Sequence, residues 1–387
     1  SEQWKGCPAT AALLVSRAAI LHCGLGLFAA DPEVTMPAPH RILSLVCGLA
    51  CGAAAQVAAE TSVAAQSDDP SAAFYRGRTL QAVVGYPPGS TFELYLRSFV
   101  RHLERHVPGS PAIVVQHMPG AGSLKATGYL FNVAPKDGSV IGMPNPVNTT
   151  EPLIDPERTK FDPRAFSWLG SLNSEISTCG FWAKDIKTVD DLKRRQVVVG
   201  STGPSSGSTV DARVLAALLG LNFKIVTGYP GLTEVRLAAE RGEVDGYCGL
   251  LVSSIKTDVW DAFRAGTLSV PIQMGVQKHA EFPNIPNVYD LVTRPEDKQL
   301  FRLIFGPWAY GRPLVAPPGT PKDRVDALRA AFKATLADAA FVAEAKRLNL
   351  EIQPLAADAI EKQVDDVFRT PPEVVARARV LLGAQNR

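Results

Sequence analysis

Three glycine- and hydroxyl-rich stretches carry most of the chemistry this sequence can offer. They read Pro87-Pro88-Gly89-Ser90-Thr91, Met118-Pro119-Gly120-Ala121-Gly122-Ser123, and Gly200-Ser201-Thr202-Gly203-Pro204-Ser205-Ser206-Gly207-Ser208-Thr209. Glycine lets backbone amides approach a guest closely, and a helix start offers unpaired N–H donors with a partial positive charge. Each stretch follows a strand pattern and runs into a helix pattern, so an anion is the natural guest. Charge-assisted hydrogen bonds contribute about 1.5–3 kcal/mol each. Several together support micromolar binding, about −8 kcal/mol, without an arginine clamp. Taken singly, each loop also fits ordinary capping and tight turning; three in one chain shift the balance toward a binding cleft.

Other chemistries fit less well. Gly203-Pro204-Ser205-Ser206-Gly207 matches the nucleophile-elbow pattern, which makes a serine hydrolase acting through Ser205 the alternative. The only histidine after that serine is His279, and the extra Ser201-Thr202-Gly203 loosens the turn that must expose it. Gly120-Ala121-Gly122 begins like a dinucleotide fingerprint, but Lys125 stands where the last glycine belongs, and no cofactor is expected. His102 and His106 have the i, i+4 spacing of two metal ligands without a supporting acidic or cysteine cluster, so a solvated helix face is expected and no metal. Cys179 and Cys248 lack a CxxC arrangement; they could form one disulfide, which their spacing does not decide. A formal net charge of +2 with 20% charged residues supplies no field for a phosphate backbone, so nucleic acid is not an expected partner.

The elements that must position these loops alternate in type. Strand patterns fall at 80–86, 112–117, 140–143, 197–200, 224–228 and 244–249. Most lead into amphipathic helix patterns, at 92–107 and from near Ser123, Ser208 and Leu232. That alternation is the mark of parallel sheets with helices on both faces, where ligands meet loops at the carboxyl ends of strands. A chain of 387 residues, 46% of them apolar, is long enough for two such units.

The N-terminal region reads as a processing signal. After Met36 come His40-Arg41, an apolar run over 42–55 and small residues in Val57-Ala58-Ala59 and Val63-Ala64-Ala65. The expectation is a cleaved signal peptide over 36–65, a non-native upstream extension over 1–35, and a periplasmic protein. Cys51 after Gly48-Leu49-Ala50 leaves a lipoprotein as the rival reading.

Resemblance adds to this. Gly85-Tyr86-Pro87-Pro88-Gly89-Ser90-Thr91-Phe92-Glu93, Met118-Pro119-Gly120-Ala121-Gly122-Ser123, Ala134-Pro135-Lys136-Asp137-Gly138, Tyr229-Pro230-Gly231, Gly242-Glu243-Val244-Asp245 and Val315-Ala316-Pro317-Pro318-Gly319-Thr320-Pro321 stand in one order. With them, the chain from about Tyr75 to its end resembles the periplasmic receptors of tripartite tricarboxylate transporters, the Bug family of extracytoplasmic solute receptors. The resemblance implies an α/β, two-lobed type II periplasmic-binding fold, each lobe a mixed, mainly parallel sheet with flanking helices. Lobe 1 would hold residues 74–174 and 305–387, lobe 2 residues 175–304. It implies a non-enzymatic, monomeric receptor for a small carboxylate, either a di- or tricarboxylate or an aromatic acid, working with membrane transporter subunits; a sensory receptor is a further alternative. The implied ligand contacts are Ser90, Thr91, Gly120, Ala121, Gly122 and Ser123 from one lobe and Ser201, Ser205, Ser206 and Tyr229 from the other. Phe92, Asn145 and Asp245 are counted with them. Ser90 replaces a usual glycine, Glu93 an aspartate and Pro230 a lysine, which leaves the ligand's identity open.

Overall fold

The computed structural model describes residues 70–204 and 206–383; the expected extension, the expected signal peptide and Ser205 lie outside the described residues. Strands β1 (Thr79–Val84), β2 (Ala112–His117), β3 (Val140–Met143), β4 (Ser167–Ser171) and β10 (Pro313–Ala316) form one sheet in the order β2-β1-β3-β10-β4. Strands β5 (Ser177–Phe181), β6 (Val197–Ser201), β7 (Phe223–Thr227), β8 (Gly246–Leu251) and β9 (Ser269–Met274) form a second, in the order β7-β6-β8-β5-β9. In each sheet the first three strands of that order run parallel, and the fourth, β10 or β5, pairs antiparallel with both neighbours.

The six expected strands are all present within two residues of their expected ends. The four that the pattern does not announce are β4, β5, β9 and β10. Ser, Gly or Pro begins or interrupts the apolar run of each, as in Ser177-Thr178-Cys179-Gly180-Phe181 and Pro313-Leu314-Val315-Ala316. The chain crosses from the first sheet to the second at 172–176 and returns between β9 and β10. The antiparallel strand in each sheet is therefore the one that arrives directly from the crossing.

Helix packing supplies the core. The helix Thr91–Leu103 buries Phe92, Tyr95, Leu96, Phe99, Val100 and Leu103 along one face. Its start is capped from both sides: Glu93 N–H donates to Ser90 Oγ at 3.3 Å, and the Glu93 carboxylate accepts from the N–H of Gly89, the residue before the cap, at 3.3 Å. The two histidines do not lie on the solvated surface expected for them. His102 Nε2 lies 2.7 Å from Glu344, His106 Nε2 lies 2.7 Å from Asp338, and His102 is buried, because the helix Ala339–Arg347 and its N-cap pack across it. Among the described residues no cluster of His, Cys, Asp and Glu is arranged to hold a metal, and no helix is long and apolar enough to cross a membrane.

In the second sheet Cys179 of β5 and Cys248 of β8 face each other in register, both fully buried, and are joined by a disulfide. Closing a loop of 69 residues removes denatured-state entropy worth about 4 kcal/mol in the chain-entropy account. Nearby, the helix Gly207–Leu219 buries Asp211, to which the Ser177 hydroxyl donates a hydrogen bond. Burial pushes this carboxyl up to about 7, against the pull of that hydrogen bond. A carboxyl raised in the folded state contributes stability that is full below its unfolded value and is lost as pH rises through about 7. Asp211→Asn is therefore expected to raise the melting temperature by about 3 °C or more at pH 8 relative to its effect at pH 5. Thermal unfolding at the two pH values checks this; an equal shift at both would contradict it.

Candidate functional site

Strand register brings the first two candidate loops together. Val84 pairs with both His117 and Met143, so β1, β2 and β3 end level and their following loops share one edge. The first loop delivers Ser90 as helix cap and Thr91 as the first residue of the helix, with the Phe92 ring stacked on Tyr86 at 4.5 Å. The second runs through four consecutive residues of positive φ: Gly120 at 143°, Ala121 at 48°, Gly122 at 63° and Ser123 at 74°. Two of these are not glycine, a strain that the surroundings must hold.

The third strand end holds it. Asn145 N–H donates to Ser123 Oγ at 3.4 Å, and Asn145 Nδ2 donates to the Tyr86 hydroxyl at 2.5 Å. Ser123 O accepts from Thr127 Oγ1 at 3.0 Å, which in turn accepts from Asn148 Nδ2 at 3.0 Å. Burial pushes the Tyr86 hydroxyl up to about 12 despite the Asn145 hydrogen bond and the charge of Arg312, so it stays neutral. Asn145 thus ties three loops together through its main chain and side chain.

Across the cleft, the third candidate loop ends in a hydroxyl cluster at the start of the helix Gly207–Leu219. Ser201 Oγ lies 2.9 Å from Ser206, 2.7 Å from Ser208 and 2.6 Å from Thr209. Gly203 O accepts from Ser206 at 2.8 Å and from Thr209 at 2.7 Å. This wall meets the opposite one closely: a Cβ placed on Gly122 would come within 3.9 Å of Ser206 Cα. At a second point Thr91 Oγ1 shares a hydrogen bond with Ser254 Oγ at 3.0 Å and donates to Asp258 at 3.3 Å.

The hollow beside Gly122 and Gly207 measures about 390 Å³ including its opening to solvent, yet only about 20 Å³ of it admits the centre of a water molecule. The lobes are drawn nearly shut there, so a guest larger than water needs them apart.

One expected contact lies elsewhere. Asp245 N–H donates to Val198 O, level with the start of β6 and at the edge of the sheet away from these loops. Its carboxylate forms a two-pronged pair with Arg195 at 2.8 and 2.9 Å and caps the Val198 amide at 2.7 Å, a structural role. Tyr229 stays beside the third loop: its N–H donates to Ser201 O at 3.4 Å, while its ring packs over Gly200, 3.4 Å from where a Cβ would be, in an apolar cluster with Trp182 and Val198.

Sequence reasoning missed the group at the crossing. Arg312, fully buried, pairs with Glu175 at 3.0 Å and donates to Ser253 Oγ at 2.9 Å and Gly311 O at 3.0 Å. Its guanidinium lies 4.1 Å from the centre of the Phe92 ring and 4.9 Å from that of Tyr95. Beside it Glu351, bonded through its backbone to the Tyr95 hydroxyl, reaches His279 at 3.2 Å and Lys256 at 3.6 Å. Burial alone would raise Glu351, but the His279 hydrogen bond and the two cationic neighbours hold it below the usual carboxylate range. One signal was present: Arg312 is the only charge between Arg302 and Lys322, set in an apolar, aromatic run.

The tightest packing in the site generates a test. A Cβ on Gly85 would fall 1.9 Å from Ser123 Oγ and 2.7 Å from Ser123 Cα. Gly85→Ala is expected to cost about 1–3 kcal/mol in denaturant unfolding, since backbone as well as side chain must move. Adding Ser123→Ala should not restore the loss, and full rescue by that second change would contradict the account.

No protein-family model matches the sequence, and none of the curated proteins matches it. Solved structures do. The periplasmic binding protein BugD matches with TM-score 0.62 and 18% identity over 79% of this chain and 98% of that one. A TctC solute binding protein from Polaromonas matches with TM-score 0.56 and 18% identity over 80% and 99%. MatC from Rhodopseudomonas palustris, solved with bound malate, matches with TM-score 0.58 and 17% identity over 79% and 99%. The fold is the two-lobed, type II periplasmic-binding fold.

Proposed function

We propose that this chain is an exported, monomeric receptor of the tripartite tricarboxylate transporter type, which captures a small carboxylate between its lobes and hands it to membrane subunits. The observation that carries this reading is the approach of Gly122 to Ser206: a loop of exposed amides on one sheet faces a hydroxyl-lined helix start on the other. On this reading Ser90, Thr91, Gly120, Ala121, Gly122 and Ser206 hold the guest, and the fully buried Ser123 and Ser201, together with Asn145, position the loops. Tyr229 borders that set through its bond to Ser201, and Asp245 is left out of it. In this reading residues 74–174 with 305–387 form one lobe and 175–304 the other. Malate bound to MatC, a protein of the same fold, supports the ligand class.

The disulfide supports export, because such bonds persist in oxidising compartments. The hydrolase alternative finds less support. The four histidines among the described residues face Glu344, Asp338, Glu93 and Glu351. The described hydroxyls of the serine loop bond to one another and to Gly203 O.

A guest that touches both lobes stabilises the closed form. Calorimetric titration of the purified protein with a panel of small carboxylates is expected to yield at least one ligand with micromolar affinity or better and a raised melting temperature. Ester substrates should show no turnover; turnover lost in Ser205→Ala would overturn the receptor reading. Protein recovered from the periplasm should show no thiol at positions 179 and 248 until it is reduced, and free thiols there before reduction would contradict export into an oxidising space.

A further inference from the structure

One turn below the start of the helix Gly207–Leu219 lies a carboxyl that the receptor reading does not use. Asp211 is 1% exposed and accepts a hydrogen bond from the Ser177 hydroxyl. Strand register shows which end of the sheet that bond occupies. Val199 pairs with Gly246, so the end of β6 at Ser201 is level with Cys248, and Leu251, opposite Ser177, lies beyond it. A Cβ on Gly249 would come within 3.2 Å of Ser208 Cα, which puts the helix start at the same edge. Helical side chains lean toward the N-terminus, so the Asp211 carboxyl reaches back toward the amides that face the opposite loop.

Among the described residues no cation pairs with this carboxyl. β5, β6 and β8 carry no charged residue, and burial keeps the Tyr247 hydroxyl of β8 neutral. Lys224 of β7 is exposed. Arg213, two residues along the helix and so on another face, donates to Leu382 O. On the helix Pro372–Leu382, Arg377 pairs with Asp297 at 2.6 Å, Arg379 donates to Leu153 O at 2.8 Å, and Glu373 stands in the first turn, at the far end from Leu382. Before β5, Glu175 pairs with Arg312 at 3.0 Å, and Glu151 lines the hollow beside Gly207. Burial governs Asp211, opposed only by the Ser177 bond, and pushes the carboxyl up to about 7.

A guest carboxylate held at the helix start and an ionised Asp211 would stand about one helical turn and one hydrogen bond apart, about 8 Å. At an effective dielectric constant of about 20–40, two such charges repel enough to change affinity about five- to thirtyfold. They also compete for the same partial positive charge of the helix. The neutral acid removes both penalties. Resting on the receptor reading above, we infer that the protein holds its anionic guest with Asp211 protonated, so that capture takes up a proton. Guest and proton then strengthen each other's binding by the same factor. The sign follows from this: affinity is full while Asp211 is neutral, falls as pH rises through its titration, and levels off above it. Asp211 acts through the field at the helix start and touches no atom of the guest.

The test is a calorimetric titration of the purified protein with malate, adipate and benzoate between about pH 6 and pH 8.5, where these carboxylates are largely ionised. Each one that binds is expected to lose at least about fivefold in affinity across that range. Near pH 7.5, titrations in HEPES and in Tris, whose heats of ionisation differ, should show uptake of about half a proton per guest. Asp211→Asn, checked for folding by thermal unfolding, should bind within about twofold of wild type at the acid end, stay within about twofold of that value at the alkaline end, and take up no proton. The carbon-13 resonance of the Asp211 carboxyl reads the same coupling without a substitution, and its titration midpoint should move to higher pH when the guest is bound. A wild-type affinity that is flat with pH, a midpoint that does not move, or a folded variant that keeps the wild-type slope overturns this inference and leaves the receptor reading intact. Folded protein that binds none of these ligands overturns both.

Discussion

A guanidinium sealed from water holds the crossing between the lobes. Arg312 enters the first sheet at β10, Glu175 lies in the segment that leaves it, and Ser253 belongs to the helix that follows β8 of the second. Two aromatic faces from the Thr91–Leu103 helix enclose the charge. Bringing both ions out of water costs several kcal/mol each, and their attraction offsets this only because additional hydrogen bonds complete the group. One atom is left over, since Arg312 Nε has no partner. Removing Glu175 alone would leave a lone buried cation, a loss of about 3–5 kcal/mol. Any packing of the lobes that separated this pair would strand the same charge, so the pair specifies one arrangement more than it adds stability.

That arrangement sets where the loops point. Phe92, packed on the guanidinium, also stacks on Tyr86, and the Tyr86 hydroxyl receives Asn145. Asn145 in turn steadies Ser123 in its left-handed conformation. The chain of contacts runs without a break from the crossing to the amides that face the opposite lobe. A strained loop of this kind persists only when its neighbours over-determine it, and here they belong to three different strand ends.

Much of this was legible in the residues, and the reasons divide cleanly. The parallel strands announce themselves because each is a β-rich run leading into a helix, most of them through a glycine- or proline-containing turn, and the helices Thr91–Leu103 and Leu232–Glu240 begin within one residue of where their periodicity places them. β4, β5, β9 and β10 do not, because they take their apolar character from both faces of a sheet interior and carry Ser, Gly or Pro within them. The three loops were recognisable by composition alone. Asp245 was not separable from them, because spacing reveals that a residue borders a strand but not at which end of the sheet it lies. The pairs Arg312–Glu175 and Glu351–His279 join residues remote in sequence, where no local period exists to reveal them.

The contact between Gly85 and Ser123 carries a consequence for how such a protein changes over time. One wall of the binding space is written in backbone: a glycine with no room for a methyl group, followed by four residues in conformations most side chains resist. Drift in that wall is therefore nearly forbidden, whatever guest is present. In the proposed receptor, a change of guest would have to proceed through side chains on the surrounding helices, where one can be exchanged for another without disturbing the main chain. The proposed grip on a carboxylate would then outlast many changes of what is attached to it.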